Sequence, residues 1–558
     1  MASKRVGERR KRCCFSGDCK KKQKEKKQQK EPPTQQERDQ SGQAQDVPRE
    51  PIHSLLDVNL DIIRQTTGNS SDVVIRRFTM GQEREIRAAL IFIDGLADEK
   101  NVYQFLLEPL MVATFPISLS PKDAFFFVEK KLAAVGEIER ISHWFDLFLA
   151  LTSGETIILL DGLPSALSAS TKGGETRAIQ EPQTQLAIRG PRDGFTESLR
   201  MNTTLIRRRI KNPNLWLETL KIGEVTQTDV AIMYVKGIAN DAIVEEVKKR
   251  LRGIRIDNVL ESGDIEQLIE DQTFTTFPTL YHTERPDVVA ANLLEGRVAI
   301  FVEGTPFVLV APALFIQFFQ AVEDYYARFD IATALRFLRV LIFFLSLVAP
   351  AIYIAATTFH QEMIPTQLVI AIAAQRESVP FPAFVEALVM EVVFEILREA
   401  GVRLPRAVGQ AVSIVGALVI GQAAVEAGFV SSAMVIVVSI TAIASFATPS
   451  FAIAISARLI RFALMFLAAM FGFYGIIIGI LMMTLHLCSL RSFGVPYMSP
   501  LAPFIPSNMG DTLFRLPTWV FKERPRLISQ KNIARQGKHQ RPQPPASNRQ
   551  EKNEGEQS

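Results

Sequence analysis

The sequence predicts a membrane protein in which a mixed α/β cytosolic N-terminal region of two subdomains precedes an α-helical transmembrane bundle. Three stretches, residues 340–359, 427–457 and 462–490, contain no Asp, Glu, Lys or Arg. A helix needs about 20 mostly apolar residues to cross a bilayer, so each stretch is long enough. Upstream of residue 320, short runs typical of β-strands alternate with segments of helical spacing. This order predicts that the soluble part comes first.

Residues 1–50 are predicted to be a disordered basic extension. The first thirty residues hold thirteen Lys or Arg against three acids, and no apolar run follows them, which argues against a cleaved signal peptide. Cys13, Cys14 and Cys19 lie there without a nearby His, so we expect reduced thiols and no zinc site. Lipid proximity or simple solvation suits this stretch better than nucleic acid, because aromatic residues are not interleaved with the charges.

The soluble region is predicted to form two α/β subdomains, residues 51–195 and 196–305. Predicted strands lie at 73–75, 88–93, 156–160, 215–222, 229–235 and 254–259, and predicted helices at 101–113, 241–252 and 264–270. The alternation favours compact α/β layers. The apolar stretch 307–319 is too short to span a bilayer, so residues 306–332 are predicted to be an interfacial coupling helix.

No pattern predicts catalysis, a cofactor or a metal site. The chain has six His, with no His-Glu-x-x-His, no Gly-x-Ser-x-Gly and no Walker phosphate loop. Two predicted strands end in Asp-Gly, at Asp94-Gly95 and Asp161-Gly162. The dipeptide is a turn signal, and the alternative is a pair of strand-end carboxylates. We therefore predict that the chain is not an enzyme.

The stretch 188–203 is the most distinctive part of the soluble region. Its characteristic residues are Gly190, Pro191, Arg192, Gly194, Phe195, Glu197 and Asn202. Further distinctive segments follow at 303–306, 380–388, 395–405, 409–416 and 447–450. Together they resemble, in order, the spore germination GerA family, specifically the A subunit of nutrient germinant receptors.

The resemblance implies an inner-membrane protein of the bacterial spore. It also implies partners: a transporter-like B subunit that senses nutrients, a lipoprotein-like C subunit, membrane lipid and further copies of the chain. The function implied is an oligomeric, nutrient-gated cation-release channel that triggers germination. The alternatives are a non-conducting scaffold or transporter component, and the sporulation-stage A-subunit homologue that amplifies germination.

Charged residues placed in the membrane half are the candidates for an ion pathway. Glu391, Glu395 and Glu399 recur every fourth residue, and Glu386 precedes them. On a helix they form one stripe, which in a ring of subunits would present a belt of acids that attracts cations. The alternative is an amphipathic helix at the membrane surface with its acidic face in water.

The next segment has a stripe of small residues at Gly409, Ser413, Ala417 and Gly421, which predicts close helix packing. Its polar members, Gln410, Gln422 and Glu426, are either further pathway residues or partners in bundle hydrogen bonds. Thr448-Pro449-Ser450 then interrupts an apolar run and predicts a broken or kinked helix.

The predicted bundle covers residues 333–520 and is followed by a basic, disordered cytoplasmic tail, residues 521–558. The basic stretches at the two ends, residues 1–30 and 522–538, favour a cytoplasmic N-terminus and a C-terminus on the same side. The charge pattern leaves the number of spans open between four, five and six, because 462–490 would end on the far side unless a later segment returned.

Overall fold

The computed structural model describes residues 50–80, 86–112, 125–128, 137–173, 181–182, 185, 189–404, 419, 421–529, 532–537 and 540–542. Several predictions lie outside these residues: the N-terminal extension up to residue 49 with its three Cys, most of the basic tail, and Gly409, Gln410, Ser413 and Ala417.

The first soluble unit is a five-stranded antiparallel sheet with strand order β1-β2-β4-β5-β3. Its strands are β1 (Val73–Met80), β2 (Ile86–Ile93), β3 (Ile138–Ile141), β4 (Thr156–Leu160) and β5 (Ala166–Ala169). Helices α1 (Leu56–Thr66) and α3 (Trp144–Thr152) cover one face. The other face is covered by α2, made of three consecutive helical stretches, Glu99–Asn101, Val102–Leu107 and Glu108–Met111. Because both faces are covered, β4 is apolar and buried along its whole length.

The second unit is another five-stranded antiparallel sheet, with order β6-β7-β9-β10-β8. Its strands are β6 (Leu215–Ile222), β7 (Thr228–Val235), β8 (Tyr281–Thr283), β9 (Val298–Val302) and β10 (Val308–Ala311). Its helices are α4 (Leu199–Arg209), α5 (Asp241–Gly253), α6 (Ser262–Ile269) and α7 (Pro286–Leu294). Helices α4 and α7 pack on one face, and α5 and α6 on the other.

The two units are a structural repeat. Each second-sheet residue lies 142 positions after its counterpart, so the pairs Val73↔Ile93 and Ala88↔Leu160 recur as Leu215↔Val235 and Val230↔Val302. Buried polar contacts repeat as well. Asn59 accepts from the His53 amide (3.1 Å) and donates to its carbonyl (2.7 Å), and Asn202 does the same to Thr196 (2.7 and 2.6 Å).

Most predicted strands are confirmed, including 156–160 and 215–222. Asp94-Gly95 and Asp161-Gly162 are turns, with both glycines at positive φ. The strand predicted at 254–259 is wrong. The segment instead runs as a loop along the β6–β7 turn, where the Glu224 amide donates to the Ile256 carbonyl at 2.8 Å.

The predicted coupling helix at 306–332 is also wrong. Its first part forms β10, which completes the second sheet, so that unit extends past residue 305. A single 3₁₀ segment, Phe315–Phe319, then packs Phe318 and Phe319 into the core of the bundle. The short helix α8 (Glu323–Tyr326) follows, and the first bundle helix begins at Phe329. Residues 308–311 form a strand because β8 and β9 pair with them on both sides, which completes the sheet.

The bundle contains α9 (Phe329–Thr358), α10 (Thr366–Arg376), α11 (Ala383–Arg403), α12 (Ser432–Phe446) and α13 (Phe451–Ser489), with helical residues also at 421–426. Among the described helices, α9 and α13 are long and apolar enough to cross a bilayer, judged by length and composition alone. Helix α12 is apolar but shorter. Residues 447–450 separate α12 from α13, so the predicted interruption at Thr448-Pro449-Ser450 is a break between two helices.

Helix α13 is two antiparallel helices joined at Gly472. That residue has φ 60° and ψ −140°, outside helical conformation and disfavoured for residues with a Cβ. A Cβ on Gly479 would touch the Leu464 side chain, although 15 residues of straight helix would hold these positions about 22 Å apart. Residues 451–471 and 473–489 therefore form a hairpin, and the single span expected at 462–490 is wrong.

The hairpin brings the chain back to the end of the bundle where it entered, which we call the domain end. There the Ser456 hydroxyl donates to the Thr276 carbonyl, and His486 lies 2.9 Å from the Thr275 hydroxyl. At the opposite, far end, Gly472 packs against His360.

The chain after the hairpin packs on the second unit. Strands β11 (Arg491–Ser492) and β12 (Val495–Pro496) form a small hairpin, followed by 3₁₀ segments Pro506–Asp511 and Thr518–Val520. Val495 and Ile528 are buried in the core of the second sheet. The predicted boundary between residues 520 and 521 is therefore wrong, because residues 491–520 run between the second unit and α9 instead of adding a helix to the bundle, and the start of the expected free tail is packed.

Candidate functional site: a charged seam in the bundle and its junction with the soluble region

The family-type residues of 188–203 connect the second unit to the segment that leads into the bundle. Phe195 is buried and stacks edge-on with Phe301 at 5.8 Å. A Cβ on Gly190, whose φ is 130°, would meet the ring of Tyr326 in α8. The Pro191 carbonyl accepts from Arg285 at 3.1 Å. Small residues and a fixed turn are needed here because α8 passes close to the backbone.

The remaining motif residues have structural or exposed positions. Asn202 is buried and holds the turn before α4, and the Glu197 carbonyl accepts from the Gly304 amide at 2.8 Å. Gly194 is buried, and Arg192 is exposed, 3.4 Å from Glu181. The motif therefore builds the unit and its connection and contains no assembled chemical site.

A buried ionic cluster joins the soluble region to the bundle. This junction cluster consists of Asp324, Arg336, Arg339 and Asp511. Asp324 is fully buried and accepts from Arg336 at 2.9 Å and from Arg339 at 2.8 Å, and Arg336 also contacts Asp511 at 2.9 Å. The two arginines lie one turn apart at the start of α9, so they face the same side. The two carboxylates come from segments before and after the bundle.

Next to this cluster, Tyr326 donates to Asp287 at 2.8 Å, and Asp287 is paired with Arg285 at 2.7 Å. Burial and the neighbouring carboxylate raise the pKa of Tyr326 to about 12, so its hydroxyl stays protonated as a donor. These contacts fix α8 between the second unit and α9.

Deeper in the bundle, α11 faces the first half of α13 through two ion pairs that we call the buried ladder: Glu391–Arg461 and Glu395–Arg458. Glu391 and Arg461 are 2.6 Å apart, and each side chain is 1% exposed. Glu395 and Arg458 are 2.9 Å apart. Helix α11 and the first half of α13 run antiparallel. The Glu395–Arg458 pair therefore lies nearer the domain end, and the Glu391–Arg461 pair lies farther from it.

Two further polar residues complete the ladder. Arg398 lies 3.3 Å from Glu395 and donates to the Ser445 hydroxyl of α12 at 2.7 Å. The ladder thus ties three helices together, α11, α12 and α13. Buried charges carry a high desolvation cost, so this pairing is what allows them inside the bundle.

Glu386 lies toward the far end of α11 and is also paired. It is fully buried, contacts Arg376 of α10 at 3.2 Å, and accepts from the Ser431 hydroxyl at 2.8 Å. The Ser431 amide donates to the same carboxylate at 3.1 Å. One acid therefore ties α10 and the start of α12 to α11.

The predicted pathway residues are thus only partly brought together. Glu386, Glu391 and Glu395 face arginines inside the chain, whereas Glu399 is exposed and pairs with Arg403 at 2.6 Å. Gln422 donates to Glu426 at 2.8 Å, and both side chains are exposed. A Cβ placed on Gly421 would lie 3.9 Å from the Val435 side chain of α12.

A surface-lying acidic helix does not fit this geometry, because Glu391 is buried against α13. The residues that sequence reasoning missed are the counter-charges. Arg458 and Arg461 were visible as charges beside apolar runs, and their three-residue spacing could have been matched to the four-residue spacing of the acids on an antiparallel helix. The junction cluster had no such signal, since Asp324 and Asp511 are far apart in the chain.

The contact between the soluble units holds one perturbed acid. Arg207 pairs with Asp72 at 2.8 Å in a buried position, and Arg200 contacts both Asp94 and Glu99. Burial and a hydrogen bond with Glu99 raise the pKa of Asp94 to about 6, although Arg200 opposes the shift.

The family model described as Bacillus/Clostridium GerA spore germination protein matches residues 61–527. The chain belongs to the GerA family. It is 62% identical to spore germination protein KA of Bacillus subtilis (strain 168) over 489 residues, covering 88% of this chain and 89% of that protein. It is also 44% identical to the uncharacterized membrane protein YfkQ of the same strain over 498 residues, covering 89% and 96%.

Among solved structures, the chain is similar to the N-terminal domain of the A subunit of the Bacillus megaterium spore germinant receptor GerK3. The identity is 47%, the match covers 49% of this chain and 100% of that one, and the TM-score is 0.40. The resemblance read from 188–203 and the later segments is confirmed, because the family match spans both the soluble units and the bundle of this GerA protein.

Proposed function

We propose that this GerA protein is the A subunit of a nutrient germinant receptor in the spore inner membrane. It acts with a transporter-like B subunit and a lipoprotein-like C subunit, and it has no catalytic role. Copies of the chain assemble into a ring whose bundles form a nutrient-gated cation path. Family membership supports the receptor role.

The observation that carries the gating part of the proposal is the buried ladder. A bundle that only anchored the chain would need no charged pairs, and each pair costs desolvation energy. In the paired state the acids of α11 are neutralised by arginines, so they offer little attraction to a cation. Conduction then requires these helices to rearrange so that carboxylates face the path, which makes the described arrangement the closed one.

The bundle geometry supports a topology with both ends of the bundle segment on the soluble side. The chain enters at Phe329 and leaves after Ser489 at the same end, and that end contacts the second unit. The cytosolic placement of the α/β units and both flanks follows if the basic N-terminal extension is cytoplasmic.

The test is ion flux through the full chain reconstituted in liposomes. Glu395→Gln weakens the ladder at its partly exposed pair, so we expect the basal K⁺ or Na⁺ flux to rise several-fold. Glu399→Gln is the matched control on the same helix, because its exposed pair contributes little. A flux that both variants leave at the wild-type level would move the path to another helix.

A non-conducting scaffold is the second candidate, and the pairing of Glu386, Glu391 and Glu395 with arginines favours it over a permanently open pore. Absence of flux from wild type, Glu395→Gln and Glu391→Gln/Glu395→Gln alike would support the scaffold.

A further inference from the structure

A cavity of about 270 Å³ lies where the second soluble unit, the connecting segment and the bundle meet. Its lining includes Arg285 and Val288 of the soluble unit, Val322 of the connecting segment, and Arg339 and Ser450 of the bundle. We propose that this junction cavity binds a small organic carboxylate with a short apolar body. The inference does not depend on ion conduction.

The guanidinium of Arg339 uses only part of its hydrogen-bonding capacity within the chain. Among the described contacts, every hydrogen bond of Arg339 runs through Nη1, to both oxygens of Asp324 at 2.8 Å and to the Phe319 carbonyl at 3.4 Å. Its Nε and Nη2 have no partner among those contacts, and the residue lines the cavity. A guanidinium edge with two donors matches a carboxylate in bidentate geometry.

The second arginine of the lining is already committed. Arg285 forms two bonds to Asp287, at 3.1 and 2.7 Å, and gives its remaining nitrogen to the Gln185 carbonyl at 3.1 Å. The cavity therefore has one arginine to offer, and a ligand with a single anionic group suits it.

A further donor comes from Ser450, the residue before the first half of α13. Its side chain makes no capping bond to that helix, and the residue lines the cavity. The partial positive charge at the start of a helix also favours an anion there. Alone this would not indicate a site, but it lies in the same cavity as the uncommitted edge of Arg339.

The apolar part of the lining sets the rest of the ligand. Val288, Phe318, Val322 and Pro449 all line the cavity, and they suit a short aliphatic or aromatic body. Among the described residues of the lining, Glu323 is the one that is acidic, and its charge acts on Arg285. A cationic ligand would have to bind at Glu323 instead. The charge of the ligand that binds therefore distinguishes a carboxylate site at Arg339 from a cation site at Glu323.

The test compares three probes with the same four-carbon body: butyrate, butanol and butylamine. Binding to the full chain in phosphatidylcholine nanodiscs is measured by calorimetry and by ligand-observed NMR, so that no anionic lipid competes. We expect saturable binding of butyrate, at least tenfold weaker binding of butanol, and none of butylamine.

Two variants locate the site. Ala321→Phe adds bulk inside the cavity and leaves every charged side chain in the sequence, and Arg339→Lys keeps the charge but removes the planar fork. Each should weaken butyrate binding at least tenfold. Arg328→Lys, at an exposed arginine before α9, is the matched control and should bind as wild type does. The thermal midpoint of each variant reports folding.

Three results would overturn the proposal: absence of saturable butyrate binding by wild type, preferential binding of butylamine, or butyrate affinity that Ala321→Phe leaves unchanged. If Arg339→Lys lowers the thermal midpoint, Ala321→Phe alone decides the outcome.

Discussion

The Glu391–Arg461 pair provides a direct test of whether the acids of α11 face arginines or water. We would replace each residue with an apolar one of similar size, as Glu391→Leu, Arg461→Met and the double variant. Both side chains are 1% exposed and their charged atoms are 2.6 Å apart. Removing one leaves the other buried and unpaired, which costs about 3–5 kcal/mol.

The double variant removes both charges and leaves apolar side chains in an apolar bundle. Its free energy of unfolding should therefore lie within about 1–2 kcal/mol of wild type, giving a coupling energy of about 3 kcal/mol or more. Unfolding would be followed by circular dichroism during titration of mixed micelles with denaturing detergent.

The matched control is Glu399–Arg403, on the same helix and with the same 2.6 Å separation, but with side chains 65% and 77% exposed. Glu399→Leu and Arg403→Met should each cost less than about 1 kcal/mol and be additive. The reasoning is refuted if Glu391→Leu and Arg461→Met behave like this control, because Glu391 would then face water as an acidic belt requires.

Three further outcomes are expected from the same preparation. Gly472→Ala should lower the free energy of unfolding by at least about 2 kcal/mol, because a φ of 60° and ψ of −140° strain a residue with a Cβ. The control Gly253→Ala, at a position with open space around it, should change the free energy of unfolding by less than about 1 kcal/mol. Asp324→Asn should cost about 3 kcal/mol, since two arginines share the fully buried carboxylate, whereas Asp330→Asn at an exposed pair should cost under about 1 kcal/mol; equal losses would contradict the junction cluster. The pKa of Asp94 in the folded protein, about 6, exceeds its ordinary value of 3.8. Wild type should therefore lose stability relative to Asp94→Asn as the pH rises from about 4 to 7. A difference between the two thermal midpoints that stays constant across that range would refute this.

The soluble fold was largely predictable because its strands carry strong local signals. The segments 156–160 and 215–222 are apolar or alternating runs bounded by turn residues, and both are strands. The repeat was harder to see, since only short segments such as 160–164 and 302–306 retain a visible likeness. It emerged from the register of strand pairs, which depends on contacts between distant residues.

The failures arose where tertiary contacts override local pattern. Residues 308–311 form a strand because β8 and β9 offer an edge on each side, although the sequence around them reads as an apolar interfacial segment. The span expected at 462–490 reverses at Gly472, and a glycine inside an apolar run is not by itself a signal for a turn. The arginines that pair with the buried acids could not be predicted, because they depend on which helices pack together, and the hydrophobicity of the sequence does not determine that.

The two groups of buried charges have different consequences for motion. The junction cluster fixes the start of α9 to segments on both sides of the bundle, and α9 packs most extensively against the α13 hairpin. Freeing either arginine there would leave a charge unpaired in a buried site. A displacement of the soluble region should therefore carry α9 and α13 along as one body. Helix α11, in contrast, is connected to α13 by the ladder and by the Phe384–Phe466 ring contact, and Glu391, Glu395 and Glu399 lie one turn apart along it. Motion of α9 and α13 past α11 would exchange partners along the stripe, so the proposed gating predicts that the ladder, rather than the junction, is where the bundle rearranges.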